Sequence, residues 1–186
     1  MNSIAPAGGR FTVLSRLLHW SMAVMVIGQF FLGVTMIAAL SYYPLLLAIH
    51  RPLGIAILVF AIARLLNRLR HRPPPFLATM GPLERRFATY SERLLYALLL
   101  IQPLLGWVML SAAQYPMVLV AGVHLPAIAP HNLTLYAVLR TCHGAAAYLL
   151  FATFTAHICA VVFHTVALRD GLITRMTLSP SRRESR

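Results

Sequence analysis

The sequence predicts an all-α membrane protein, a four-transmembrane-helix bundle with both termini cytoplasmic. Three observations predict it. The chain is 59% hydrophobic, has a mean hydropathy of +0.74 and carries only four acidic residues in 186, a composition suited to lipid rather than water. It divides into long apolar runs, each near or above the about 20 residues that a ~30 Å hydrocarbon core requires. Fourteen of its sixteen basic residues, all arginine, gather at one set of ends of those runs.

Residues 1–15 form a short polar leader containing Arg10, and Arg16 follows. Residues 17–40 carry no charge, too long a run for a signal-peptide apolar region. They predict helix one, with His19 in its first turn. Ser41-Tyr42-Tyr43-Pro44 reads as a turn with interfacial tyrosines. Helix two is expected at about 45–66, with His50 and Arg51 near its start and Arg64 near its end. Residues 67–90 hold five arginines and the Pro73-Pro74-Pro75 run, so they are expected to form a basic loop outside the bilayer.

Helix three is expected at about 94–113, kinked at Gln102-Pro103 because proline removes a helical hydrogen bond. Glu92 stands at that expected helix start, where a negative charge caps. Residues 114–136 are uncharged and punctuated by Pro116, Pro126 and Pro130; they read as an interfacial loop bearing His124 and His131. Helix four, 141–168, has no charged side chain in 28 residues, and a basic tail, 169–186, follows it. The whole chain, 1–186, reads as one transmembrane domain.

Fourteen of the sixteen arginines fall in the leader, the loop between helices two and three, the adjoining helix ends and the tail. The positive-inside rule then puts both termini in the cytoplasm, with Arg51 and Arg140 on the far side. The arginines flank apolar runs instead of building an aromatic-interleaved basic domain, which excludes nucleic acid as a partner. Cys142 and Cys159 lie on one predicted helix, ~25 Å apart by rise, and so cannot pair with each other.

Helix four carries His143, His157 and His164, and an imidazole at bilayer depth needs a partner, a ligand or a water-filled cavity. From His143 to His157 the helix closes to within ~40° of a whole number of turns and rises ~21 Å. One face therefore presents a nitrogen near each membrane surface. Helix one leaves the cytoplasm at His19, while helices two and four both start from the far side near His50 and His143. Depth alone predicts two cross-helix pairs, His19 with His157 and His50 with His143.

Two facing imidazoles can bind zinc, copper or haem iron. A closed zinc site wants four ligands, usually with thiolate or carboxylate, whereas haem iron wants two. The residue one turn on from each histidine is Ala23, Gly54, Ala147 or Val161, and small neighbours let a flat macrocycle approach the backbone. No Cys-x-x-Cys-His occurs, so haem would be held without thioether links, as b-type. With histidine at both axial positions the iron would pass electrons rather than bind oxygen. A lone membrane histidine is more often a hydrogen-bonded structural residue; four at matched depths favour ligation. Arg51 and Arg140 lie beside the outer ligands, where they can hold haem propionates, attract an anion or anchor at the interface. His164, about 20° further round the face of His157, reads as an interfacial polar residue or a quinone contact.

Leu17-Leu18-His19-Trp20, Ala48-Ile49-His50, the run ending Arg64-Leu65-Leu66-Asn67-Arg68-Leu69, the triple proline, Tyr96 through Pro103-Leu104-Leu105-Gly106, and His143 with His157 together resemble the bacterial cytochrome b561 family. The resemblance runs from about residue 11 to 175. It implies a four-helix dihaem cytochrome whose axial ligands fall on His19, His50, His143 and His157. The activity it implies is oxidation of superoxide outside the bacterial inner membrane, with electrons delivered to ubiquinone in a pocket that includes His164. The chain departs from that type at two positions: it has Glu92 where that type carries a histidine, and Gly144 where that type carries an acidic residue. The competing expectations are a cytochrome subunit coupling a separate dehydrogenase or hydrogenase to the quinone pool, and a histidine-based metal-ion transporter. The lack of intramembrane Asp or Glu opposes transport.

Overall fold

A computed structural model of the chain describes residues 9–119 and 122–178. The beginning of the leader and the end of the tail, with Arg182, Arg183 and Arg186, lie outside the described residues. Four helices dominate: α1 (Val13–Ala38), α2 (Tyr43–Arg70), α3 (Pro82–Ala112) and α4 (Leu133–Phe163). Each is long and apolar enough to cross a membrane, and together they make a multi-pass, all-α bundle. Between α3 and α4 a two-residue strand β1 (Met117–Val118) pairs antiparallel with β2 (His124–Leu125).

Local chemistry sets the helix ends. Thr12 Oγ1 accepts from the Ser15 N–H at the start of α1, and Asn132 Oδ1 accepts from the Leu135 N–H at the start of α4, each satisfying one orphan donor. At α3, Pro82 opens the first turn and Glu84 Oε2 accepts from the Gly81 N–H at 2.7 Å. Arg68 and Arg70 stand in the last turn of α2, where cations complement the exposed carbonyls.

These ends correct the boundaries expected from the charge-free runs. The loop expected over 67–90 shrinks to 71–81, and α3 begins at Pro82 instead of near 94. α4 begins at Leu133 instead of 141, so Arg140 lies inside it. In each case arginines belong to the helix and extend into the interface, because a long side chain can bury its stem while its head stays wet. Glu92 is accordingly about three turns into α3, and the capping acid there is Glu84. Both Pro52 and Pro103 lie within continuous helices.

Backbones pack closely in the order α1 on α2, α2 on α3 and α3 on α4. The core is thin, with Met22, Val26, Ile57, Leu58, Ala61, Leu98 and Leu150 buried, while Phe31, Ile37 and Tyr148 are each more than 70% exposed. That inversion is what lipid permits, since hydrocarbon competes equally for apolar surface and helices associate through close packing and polar contacts. Phe30 bridges α1 to α4, edge-to-face with Phe151 at 5.4 Å and Phe154 at 5.5 Å, each contact contributing about 0.5–1.5 kcal/mol beyond burial.

After α4 a single π-helical turn, His164–Leu168, ends at Arg169 in the left-handed region (φ 50°). The chain then folds back beneath the bundle. Arg10 and Arg16 donate to the Thr177 carbonyl at 2.6 and 2.7 Å, Trp20 Nε1 donates to the Met176 carbonyl at 2.8 Å, and Arg175 donates to the Pro75 carbonyl at 2.6 Å. Residues 169–177 thus strap α1 to the proline loop.

Candidate functional site

The histidines meet two by two, as their depths predict. His19 of α1 faces His157 of α4 with ring centres 6.5 Å apart, and His50 of α2 faces His143 of α4 at 6.4 Å; both pairs have an interplanar angle of 68°. All four are half-buried. Neither spacing is a hydrogen bond or a stack. An imidazole nitrogen binds a first-row metal at about 2.0–2.1 Å and sits about 1.2 Å from its ring centre, so two rings gripping one metal from opposite sides have centres about 6.4 Å apart. Both pairs match that distance.

A second observation concerns the space between helices. The closely packed backbones are α1/α2, α2/α3 and α3/α4, whereas the paired histidines span α1/α4 and α2/α4. The histidine pairs thus join helices whose backbones stand further apart than those of the closely packed neighbours. The donor set, two neutral nitrogens and no thiolate or carboxylate, matches the axial demand of b-type haem and not that of closed zinc. Among the described residues no group of three or more His, Cys, Asp or Glu converges as a metal cluster.

The supporting contacts differ between the pairs. At the first, Arg64 Nη1 lies 2.8 Å from His19 Nδ1, while its Nε donates to the Tyr96 hydroxyl at 3.1 Å. Its guanidinium also lies 5.6 Å from the Tyr96 ring centre. With Nδ1 engaged, His19 has Nε2 left for a ligand. At the second pair the backbone is held instead. Gln29 of α1 donates to the His50 carbonyl at 3.1 Å, and Gln102 of α3 donates to the His143 carbonyl at 2.9 Å. The Nδ1 atoms of His50 and His143 are buried without a hydrogen-bond partner. Gly106 completes this end: a Cβ built on it would lie 3.2 Å from His143 Cε1, so glycine there makes room for the imidazole.

The remaining sequence candidates fall in three different surroundings. Arg51 donates to the carbonyls of Pro116 (2.8 Å) and Leu47 (3.3 Å), anchoring the residue that leads into β1 to α2. Arg140 is exposed on α4, without a hydrogen bond or ion pair among the described residues. His164 is buried, and its Nδ1 meets Asp170 Oδ2 at 2.5 Å, with side chains only 8% and 3% exposed. Asp170 also accepts from the Leu172 N–H at 3.0 Å. His71, His124 and His131 are exposed. Glu92 pairs with Arg68 through two contacts, 2.9 and 3.2 Å, linking α3 to α2.

Sequence reasoning missed Gln29, Arg64, Gly106 and Asp170 as parts of these sites. One signal was there to be read. Arg64 follows His50 by the same fourteen residues that separate His157 from His143, so it occupies on α2 the depth and face that His157 occupies on α4.

Comparison with known proteins follows this geometry. A family model described as prokaryotic cytochrome b561 matches residues 10–178. A Yersinia pestis protein named probable superoxide oxidase CybB is 26% identical over 168 residues, covering 90% of this chain and 95% of that protein. Cytochrome b561 homolog 2 of Escherichia coli K12 is 30% identical over 125 residues, covering 63% of this chain and 64% of that relative.

Proposed function

Because the chain belongs to the prokaryotic cytochrome b561 family, we propose that it is a dihaem electron carrier of the bacterial inner membrane that oxidises superoxide at its outer face and reduces ubiquinone at its basic, cytoplasmic face. The observation that carries this reading is the pair of imidazole spacings, 6.5 and 6.4 Å, at two depths of one bundle. The name of the Yersinia relative supports superoxide as donor. His19 with His157, and His50 with His143, would each hold a b-type haem, which when bound would supply one-electron transfer at that depth.

The chain's own residues do the rest. Gln29 and Gln102 fix the backbone carbonyls of the outer ligands, and Gly106 leaves the space in which His143 turns its ring. Arg64 orients His19 and places a positive charge beside the inner pair. Arg140, exposed on the outer half of α4, raises the local concentration of an anion such as superoxide. Two superoxide anions give up one electron each and leave as dioxygen; ubiquinone takes both electrons and two protons to become ubiquinol. The buried His164–Asp170 pair lies at the cytoplasmic end, where it can hand a proton to the quinone.

The test is superoxide-driven ubiquinol formation by the purified cytochrome in liposomes. Steady quinol formation is expected, with His164→Ala slowing it while the haem spectrum stays intact. A cytochrome that superoxide leaves oxidised, and that only a copurifying dehydrogenase or hydrogenase reduces, would contradict the proposal.

A further inference from the structure

We propose that the basic end of the bundle carries a binding site for a phosphate-ester anion, the head group of an anionic phospholipid. A cavity of about 180 Å³ lies between the start of α1 and the end of α2, lined by Arg10, Thr12, Ser15, Arg68, His71 and Arg72. Its wall on one side is Pro73 and Pro74, whose rings restrict backbone motion. The site is remote in function from the histidine pairs and stands whether or not they hold haem.

Charge makes an anion the fitting occupant. Of the acids in the described residues, Glu84 is taken up by the Gly81 N–H and Asp170 by His164. Glu92 alone reaches a cation of this cavity, Arg68. Arg72 has no acidic partner among the described residues, while Arg10 donates through Nη2 to the Thr177 carbonyl (2.6 Å) and hydroxyl (3.1 Å). The lining therefore offers the positive charge of Arg72, on a planar guanidinium fork that suits phosphate.

A second feature of different origin points the same way. Thr12 and Ser15 are the N-cap and a first-turn residue of α1, a 26-residue helix whose positive dipole end opens onto the cavity. His71 Nδ1 is engaged with the Asn67 carbonyl at 3.1 Å, which leaves Nε2 as a further polar contact. Arginines, a helix N-terminus and imidazole converge on one space.

Position selects a lipid as the source. The cavity sits where the membrane-crossing segments Val13–Ala38 and Leu40–Arg70 begin and end, the depth of lipid phosphates. Leu14, Leu17 and Leu69, in the same helix turns, are 53%, 49% and 74% exposed and offer an apolar surface for acyl chains that the cavity is too small to admit. Basic pockets between helices on the cytoplasmic side are suited to anionic head groups.

The test uses the full-length, haem-loaded protein in mild detergent, with native mass spectrometry in the presence of phosphatidylglycerol or of phosphatidylcholine with the same chains. Wild type is expected to retain phosphatidylglycerol preferentially, and Arg72→Gln to weaken that retention about tenfold, the scale of one charge-assisted hydrogen bond. Arg72→Lys should restore part of it, and an unchanged Soret band should certify folding. A parallel thermal-shift arm with inorganic phosphate separates the sources: stabilisation of wild type but not of Arg72→Gln by free phosphate would keep the site and change its occupant. Equal retention of both lipids, or equal behaviour of wild type and Arg72→Gln towards phosphatidylglycerol and phosphate alike, would overturn the proposal.

Discussion

Adding one methyl group at Gly106 tests the proposed ligand pair His50–His143 without replacing either histidine. A Cβ there would lie 3.2 Å from His143 Cε1 and 3.6 Å from Nδ1. Carbon atoms rest at about 3.5–4.0 Å, so the imidazole must retreat by about 0.3–0.8 Å. It cannot retreat as part of a shifting backbone, because Gln102 holds the His143 carbonyl at 2.9 Å; the ring must turn instead. Overpacking of this kind costs about 1–3 kcal/mol, and the better helix propensity of alanine returns about 1 kcal/mol of that. The net loss of stability is then about 0–2 kcal/mol, while a site that tolerates about 0.5 Å of error loses most of its margin. The assay is haem per chain by pyridine haemochrome after extended dialysis, with a redox titration to resolve the two centres. Gly106→Ala should fall from two haems towards one, and Gly144→Ala, whose added Cβ would meet nothing within 4 Å, should retain both. If Gly106→Ala keeps two haems with the titration curve of Gly144→Ala, the assignment of His143 as a ligand packed against α3 is wrong.

The other predictions concern the supports. Arg64→Gln removes the contact to His19 Nδ1 and the hydrogen bond to Tyr96; loss of a charge-assisted bond should cost about 1.5–3 kcal/mol, read as a lower melting temperature and an altered low-spin signal of one haem only. An unchanged signal would show that Arg64 does not support that pair. Glu92→Gln breaks a pair whose side chains are 29% and 40% exposed, so chemical denaturation should register no more than about 1 kcal/mol; a larger loss would mean that Glu92 has a role beyond joining α2 to α3. For Asp170, burial pushes the carboxyl up, but hydrogen bonds from His164 and the Leu172 N–H, with the attraction to His164, outweigh it and hold it below its usual value. A depressed carboxyl contributes stability that is present above the unfolded value of about 3.9 and lost as pH falls through the lower folded value. Hydrogen-exchange protection factors over residues 169–177, referred to the intrinsic rate at each pH, should therefore fall on acidification below about pH 4 in wild type and show no such step in Asp170→Asn. Matching profiles for the two proteins would refute the link.

Much of this molecule is written in local pattern. The four spans follow from uninterrupted apolar runs, and the histidine pairs follow from helical rise combined with the alternation of direction. The helix ends are not legible in the charge-free runs because arginine is compatible with a helix end in the interface: Arg68, Arg70 and Arg140 interrupt the apolar pattern yet lie inside helices. Glu92 has the look of a cap only where the charge-free run places the helix start beside it; with α3 starting at Pro82 it faces α2 and finds Arg68. The His164–Asp170 contact depends on the left-handed turn at Arg169 and on Gly171 at φ 77°, a fold-back with no periodic signature. Gln29 and Gln102 each act on a carbonyl of a neighbouring helix, a relation that no spacing along one helix can disclose.

The most direct measurement is the number of haems per chain in the purified wild-type protein, from the reduced-minus-oxidised spectrum and the pyridine haemochrome. The account predicts two b-type haems, both low-spin with histidine on each side of the iron. A folded preparation from haem-replete cells that carries a single haem, or none, would contradict it.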